Sequence, residues 1–481
     1  MSNERYCLTS CANCGQRIEF PAEGLGMSVE CPGCGIATIL RDESNLASVT
    51  SVEITAADLQ SALAGPVPRR HISIFYQFGL LLVAFFMVLL PLFYFAFTCL
   101  AGYGVYWYAD HGRALFSSFT GGIYVLMLKM IIYLGPVLGG AIAVLFMFKP
   151  ILARSPKRAE PIELNPAQHP RLYQFIAHLS DLLKVSMPRR IYLDCDLNAS
   201  AGLRRGLLSF SGRDLVLTIG LPLVAGLNTR QFAAVVSHEL GHCTQWLALR
   251  LGYVIHRINR WFYRVVYERD TWDQALADWS NSDQDWRLSL IVMCVHLAVW
   301  LSRGILMLLM LIGHAASCFL SRQMEFHADA CAMSVAGSAG LESLLLRLRE
   351  LDILQGLGYD GLRQFWKQRH QLPDSLPDFL DQLEKRLPAQ FHEDARLTLM
   401  NEKAGWFATH PTAARRIQKA RQRGWDGIFT MEKPARALFG DFGATARQVS
   451  SRHYRQNLGL AITNPMLKPV GEFFQEAAPT I

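Results

Sequence analysis

Apolar positions along this 481-residue chain gather into three long blocks and a series of shorter periodic runs. The first block follows Arg69-Arg70-His71 and carries no charge from Ile72 to Ala109. Its first part, roughly 75–100, is long enough for a bilayer-spanning helix, with Pro91 placed to kink it. A short segment with Asp110, His111 and Arg113 follows. The second block, about 122–148, has Lys129 as its only charge, read as snorkelling to the interface, and ends in Lys149, Arg154, Lys157 and Arg158. The two blocks predict a transmembrane helical hairpin over 71–150. Its outer ends are basic, whereas Arg113 in the connection is offset by Asp110, so both flanking regions are expected in the cytoplasm. The third block, 288–320, is long enough to cross but is split by Arg303. It reads as a long helix packed on the following domain or dipping into the bilayer, with true crossings as the alternative.

Between and after these blocks the periods shorten, and the fold class they predict is mainly α with a small β-sheet. Leu172 to Lys184 has helical spacing and Ile191 to Asp194 is strand-like. Leu207–Phe210 and Leu215–Ile219 flank a Ser211-Gly212-Arg213-Asp214 turn and read as a hairpin. Pro222 ends the strands, and Asn228-Thr229 caps a helix expected to run past His242 through Trp246, Leu249 and Ile255. After a polar stretch at 268–287 and the third block, Leu341 to Leu354 is amphipathic. Residues 372–387, with Pro373 and Pro377, read as an insertion, and 426–481 as a C-terminal extension without a motif.

Cysteine placement changes the picture at the N-terminus. Five of the eleven cysteines lie in the first 34 residues. Cys11 and Cys14, then Cys31 and Cys34, form two CxxC pairs, each followed by glycine, which is the pattern of a zinc ribbon over residues 1–40 holding one structural Zn2+. A redox-active pair is the rival reading, disfavoured by the matched second pair, and Cys7 stands outside the pattern. Thiolate zinc sites belong in a reducing compartment, in agreement with the charge-based topology. Residues 41–70, ending Gly65-Pro66-Val67-Pro68, read as a linker. The first 70 residues have no apolar core of the kind a cleavable signal peptide needs. The net charge of +7 is accounted for by residues flanking the apolar blocks, so no nucleic-acid partner is expected.

The chemistry concentrates in Val235-Val236-Ser237-His238-Glu239-Leu240-Gly241-His242. On a helix His238 and His242 share one face and can reach one metal ion, while Glu239 is rotated toward a water on that metal. HExxH also arises by chance in long helices, so a third ligand is the discriminating feature. Glu325 and Asp329, four apart just after the third apolar block, supply one. Glu325 is the expected ligand, and Asp329 can hold the second nitrogen of a ligating histidine. His327 points off that face and is a rival.

With these residues the chain resembles the family of membrane zinc metallopeptidases that includes the HtpX quality-control protease and the CAAX prenyl endopeptidase. The matching elements are Asn198-Ala199, His238-Glu239-Leu240-Gly241-His242, Ser321-Arg322 with Glu325 and Ala328-Asp329, and Thr409-His410-Pro411 with Arg416. They fall in the family's order over roughly 160–425, and the ribbon lies outside the family's common core. The resemblance implies a zincin-like metallopeptidase domain at 151–425, with His238, His242 and Glu325 on a catalytic Zn2+ and Glu239 as general base. It places His410 near the reacting oxyanion or substrate and pairs Arg416 with an acidic residue near the site. Asn198 and Ala199 would form the edge strand that takes a peptide substrate, although Ser200 replaces the bulky residue often found next. The expected protein is therefore a membrane-anchored zinc metalloendopeptidase, acting on membrane-associated proteins or peptides in membrane protein quality control. Its expected location is a bacterial inner membrane, with ribbon and catalytic domain cytoplasmic. A catalytically silent membrane adaptor that binds a protein partner through its ribbon is the alternative.

Overall fold

The structure, a computed structural model, describes residues 6–11, 16–21, 24, 27–35, 37–40, 54–62, 65, 68, 74–117, 122–152, 162–204, 214–244, 246–268, 286–402, 405, 408 and 410–474. At the N-terminus β1 (Tyr6–Ser10) pairs antiparallel with β2 (Arg17–Pro21), and β3 (Ser28–Glu30) with β4 (Ala37–Ile39). Phe20 and Leu40, backed by Ile18 and Val29, form their small shared core. That is too little apolar area to hold a fold of this size without a further cross-link. The expected linker contains a short helix, α1 (Ala56–Ala62), opened by a reciprocal pair of hydrogen bonds between Thr55 and Asp58. Ile54 and Leu59 are fully buried in the main core, so this part of the linker is anchored.

Two long helices follow, α2 (Ile74–Ser117) and α3 (Ile123–Leu152). The segment with Asp110, His111 and Arg113, expected outside the helix, continues α2 instead. There Tyr133 donates to the Ala109 carbonyl (2.7 Å) and Tyr108 to that of Ile132 (2.8 Å), tying the two helices together.

The remaining elements build a mostly helical unit on one four-stranded sheet. They are β5 (Ile162–Glu163), α4 (Pro170–Leu183), β6 (Arg190–Asp194), β7 (Ala199–Leu203), β8 (Leu215–Gly220), α5 (Leu221–Gly226), α6 (Thr229–Cys243), α7 (Trp246–Tyr267) and α8 (Trp286–Arg369). The strand order is β5-β6-β8-β7, with β6 and β8 parallel and the outer strands antiparallel to their neighbours. The expected hairpin partner of β8, residues 207–210, lies outside the described residues; the described antiparallel partner is β7. Ile191, Leu193, Leu217 and Ile219 point into the core, where Phe175 of α4 stacks on Phe232 of α6.

α6 starts with a full capping box: Asn228 accepts from the Gln231 amide while the Gln231 side chain accepts from the Asn228 amide. It does not run through Trp246 as its apolar pattern suggested. Thr244 turns its hydroxyl back onto the Gly241 carbonyl (2.8 Å), and α7 begins afresh. In α8 the chain breaks helical geometry at Gly337 (φ 81°, ψ 167°). A Cβ there would lie 2.2 Å from the Asp426 carbonyl oxygen, and the peptide groups around it bond across: Ser338 N–H to Trp425 O, Ile428 and Phe429 N–H to Val335 O. Gly337→Ala combines a left-handed φ with a backbone clash and is expected to destabilise by more than about 1 kcal/mol. Thermal unfolding in detergent measures it, with the exposed helical Gly356→Ala, which meets nothing within 4 Å and should stabilise slightly, as the contrast.

The final elements are α9 (Leu376–Glu384), α10 (Gln390–Met400), α11 (Ala413–Arg423) and α12 (Phe442–Gln456), with Leu372–Pro373 pairing parallel to Leu467–Lys468. The segment expected as an insertion buries Leu376, Phe379, Leu380 and Leu383 in the main core. Phe429, Leu438, Phe442 and Tyr454, all beyond residue 425, enter the same core rather than hanging off it.

Three helices among the described residues are long and apolar enough to cross a membrane: Tyr76–Arg113, Ile123–Lys149 and the helix that includes Val299. Their outward faces are apolar, including Phe85, Leu92, Ile131, Trp300 and Leu308. Their shared interior holds a polar knot: Tyr94 donates to the Met147 carbonyl (3.0 Å) and Ser302 Oγ lies 2.7 Å from the same hydroxyl. The first part of α8, left open between packing and crossing, is thus bonded into the bundle of α2 and α3.

Candidate metal centre

α6 and α8 cross at their closest where Gly241 meets Ala328 and Cys331; a Cβ on Gly241 would come within 2.9 Å of Cys331 Cβ. Small residues on both helices let the two backbones approach, and this brings the histidine face of one helix onto the carboxylate face of the other. His238, His242 and Glu325 each offer one ligand atom, all within 4.8 Å of one another. His238 Nε2 is 3.4 Å from Glu325 Oε2, and His242 Nε2 is 3.6 Å from Glu325 Oε1. Donors ~2.1 Å from a tetrahedral ion stand about 3.4 Å apart, so both separations are of the size a zinc site requires.

The surrounding groups orient this set. His238 Nδ1 lies 3.1 Å from Asp329 Oδ1, which leaves Nε2 facing Glu325. Asp329, almost fully buried, is gripped in turn by Arg416 of α11 through Nε (2.9 Å) and Nη2 (2.6 Å). Arg416 thus pairs with Asp329, as the sequence suggested only in outline. His410 stands at the exposed rim with Nδ1 3.1 Å from Glu325 Oε1; its neighbour Thr409 lies outside the described residues. His327 is turned away from the set, its Nε2 3.0 Å from the Thr244 hydroxyl, where it links the end of α6 to α8.

Electrostatics follow from burial and pairing. Burial opposes ionisation of Glu325, but hydrogen bonds from His238 and His410 hold its carboxyl well below the usual range. Burial likewise opposes a charge on His238, and the bonds to Asp329 and Glu325 overcome it, raising the ring to about 9. His242 goes the other way, to about 4, pushed by burial and by His238 beside it. Burial raises Glu239, against which His238 beside it and the nearby backbone of Ala201 act.

The nearness of Ala201 to Glu239 was not readable from the motif. It follows from the register of β7: the hydrogen bonds Gly220 N–H to Asn198 O and Arg204 N–H to Asp214 O turn Asn198, Ser200, Gly202 and Arg204 toward β8. The alternate residues Ala199, Ala201 and Leu203 therefore direct their amides and carbonyls outward, over α6. Asn198 and Ala199 sit where β7 begins, at the outer position of the sheet.

A second convergence lies in the N-terminal hairpins. Cys11, Cys31 and Cys34 bring their sulfurs within 4.8 Å, with Cys11 Sγ 3.6 Å from Cys34 Sγ; tetrahedral thiolates ~2.3 Å from zinc stand about 3.8 Å apart. Thr38 donates to Cys11 Sγ and the Gly33 amide to Cys31 Sγ. Cys14 lies outside the described residues. In a third group, Glu350, Glu384 and His392, Arg347 donates to both carboxylates.

No curated protein and no solved structure matches the chain. The model of one family, Peptidase family M48, matches residues 166–424, more than half of the chain and including all of the histidine–glutamate centre and Arg416. On that match the chain belongs to peptidase family M48, a family of metallopeptidases.

Proposed function

We propose that the protein is a membrane-anchored zinc endopeptidase in which His238, His242 and Glu325 hold the catalytic ion and Glu239 is the general base. The observation that carries this is the pair of donor separations, 3.4 and 3.6 Å, across the crossing of α6 and α8. When bound, zinc supplies a Lewis acid that polarises the scissile carbonyl and acidifies water. Glu239, its carboxyl raised by burial, takes the proton of the attacking water and passes it to the leaving amine. Asp329 and Arg416 act as positioning residues, holding His238 in one tautomer. His410, at the rim, donates to the developing oxyanion.

The substrate adds as an extra strand on β7, bonded through the outward groups of Ala199, Ala201 and Leu203. Ala201 then places the substrate backbone directly beside Glu239. Cys11, Cys14, Cys31 and Cys34 hold a second, structural zinc. The three apolar helices anchor the protein in a membrane, with ribbon and catalytic unit on the cytoplasmic side of what we infer is a bacterial inner membrane. Its substrates are membrane-associated proteins, in keeping with a role in membrane protein quality control.

Hydrolysis of casein by the detergent-solubilised full-length protein is expected to stop on treatment with a zinc chelator and to return with added Zn2+ but not Mg2+. Undiminished hydrolysis in chelator would exclude a zinc mechanism.

A further inference from the structure

α7 separates two different environments. Its sequence carries four arginines and one histidine and no acidic residue. Leu251, Ile255, Ile258, Phe262, Val265 and Val266 recur at helical spacing and pack against Leu80, Ala84, Met87 and Leu90 of α2 and Leu306, Leu309 and Leu320 of α8. Asn259 donates to Ser317 (3.1 Å) within this seam. The seam involves the ends of two apolar helices nearest the catalytic unit, since Leu320 stands five residues before Glu325. The opposite face of α7 bears Arg257, Arg260, Tyr263, Arg264 and Tyr267, with the two tyrosines 58% and 52% exposed.

Among the described residues no carboxylate pairs with these three arginines. Among the described residues Arg257 donates only to the Tyr253 hydroxyl (3.0 Å). A cationic, tyrosine-bearing stripe on an amphipathic helix alongside bilayer-crossing helices matches the chemistry of an anionic membrane surface: phosphate oxygens supply the missing acceptors and tyrosines settle at headgroup depth. We infer that α7 lies in the headgroup layer and that Arg257, Arg260 and Arg264 bind anionic phospholipid headgroups. Because α7 follows α6 after a two-residue break and packs against α8 just ahead of Glu325, this contact sets the catalytic unit against the bilayer at a fixed height. The inference rests on the membrane reading of α2, α3 and α8.

The test reconstitutes the full-length protein in phosphatidylcholine vesicles containing either spin-labelled phosphatidylglycerol or spin-labelled phosphatidylcholine, and measures the motionally restricted fraction of each by electron paramagnetic resonance. The expected result is a preference for phosphatidylglycerol of about fivefold, the factor for one arginine at an anionic surface. It should fall close to one in R257Q/R260Q/R264Q and in 0.5 M salt (about a 4 Å screening length). The variant should retain casein hydrolysis in detergent, which shows that it folds; the single variant R260Q, expected to lose part of the preference, covers the case in which the triple variant does not. Restricted lipid of both kinds without selectivity overturns the inference while leaving the membrane anchor intact, whereas no restricted component at all overturns the anchor itself. Unchanged lipid selectivity together with a raised KM for acidic peptides would assign the stripe to substrate instead and also overturn it.

Discussion

Glu239→Gln is expected to lower kcat for a fluorogenic peptide by about 10^2–10^4-fold, the range for loss of a general base, while leaving metal content unchanged. Glutamine keeps the size of the side chain, so α6 and β7 should stay in place. What it removes is the proton acceptor. Single-turnover measurement with metal analysis of the same sample separates this from loss of the ion: a variant with wild-type kcat would remove Glu239 from the mechanism, and one that loses metal would make it a structural element of the site.

The second large effect is expected from Glu325→Ala. Glu325 faces both histidine Nε2 atoms, and without it two imidazoles 4.9 Å apart between ring centroids would be left to hold the ion. Metal per chain should drop from two to one, the remaining ion being that of the ribbon, and hydrolysis should vanish with it. Asp329→Asn gives a graded contrast. It keeps the volume but cannot hold the His238 Nδ1 proton and balance Arg416 as a carboxylate does, so metal affinity should weaken by roughly 10- to 100-fold. Recovery of its activity at higher Zn2+, with no recovery in Glu325→Ala, would distinguish a positioning residue from a ligand. Two metal ions retained by Glu325→Ala would show that another group completes the centre.

Much of the site could be read before the fold because its spacing is local. His238 and His242 stand four positions apart, as do Glu325 and Asp329, and a helix of 3.6 residues per turn makes each pair share a face whatever surrounds it. The same holds for the capping box at Asn228, the two CxxC pairs and the uncharged blocks that became α2, α3 and the start of α8. The misreadings also have local causes. Apolar periodicity continues from α6 into α7, and only the Thr244 turn shows that two helices share it. Prolines 373 and 377 look like loop residues until Pro377 is seen in the first turn of α9, where its missing N–H costs nothing.

By itself the sequence determined which candidate ligands share a helix face, where apolar length suffices to cross a membrane, and how the N-terminal cysteines are spaced. These are properties of neighbours along the chain, dictated by backbone geometry and side-chain polarity. Only the tertiary structure decided that Gly241 and Ala328 let α6 and α8 approach until Glu325 stands 3.4 and 3.6 Å from the two histidines, eighty-three residues beyond His242. It also decided that Ala201 meets Glu239, that Arg416 closes on Asp329, and that the residues beyond 425 complete the core. Such contacts depend on how separately formed faces pack, and packing is chosen by the shape and volume of the whole interior, which no local period encodes.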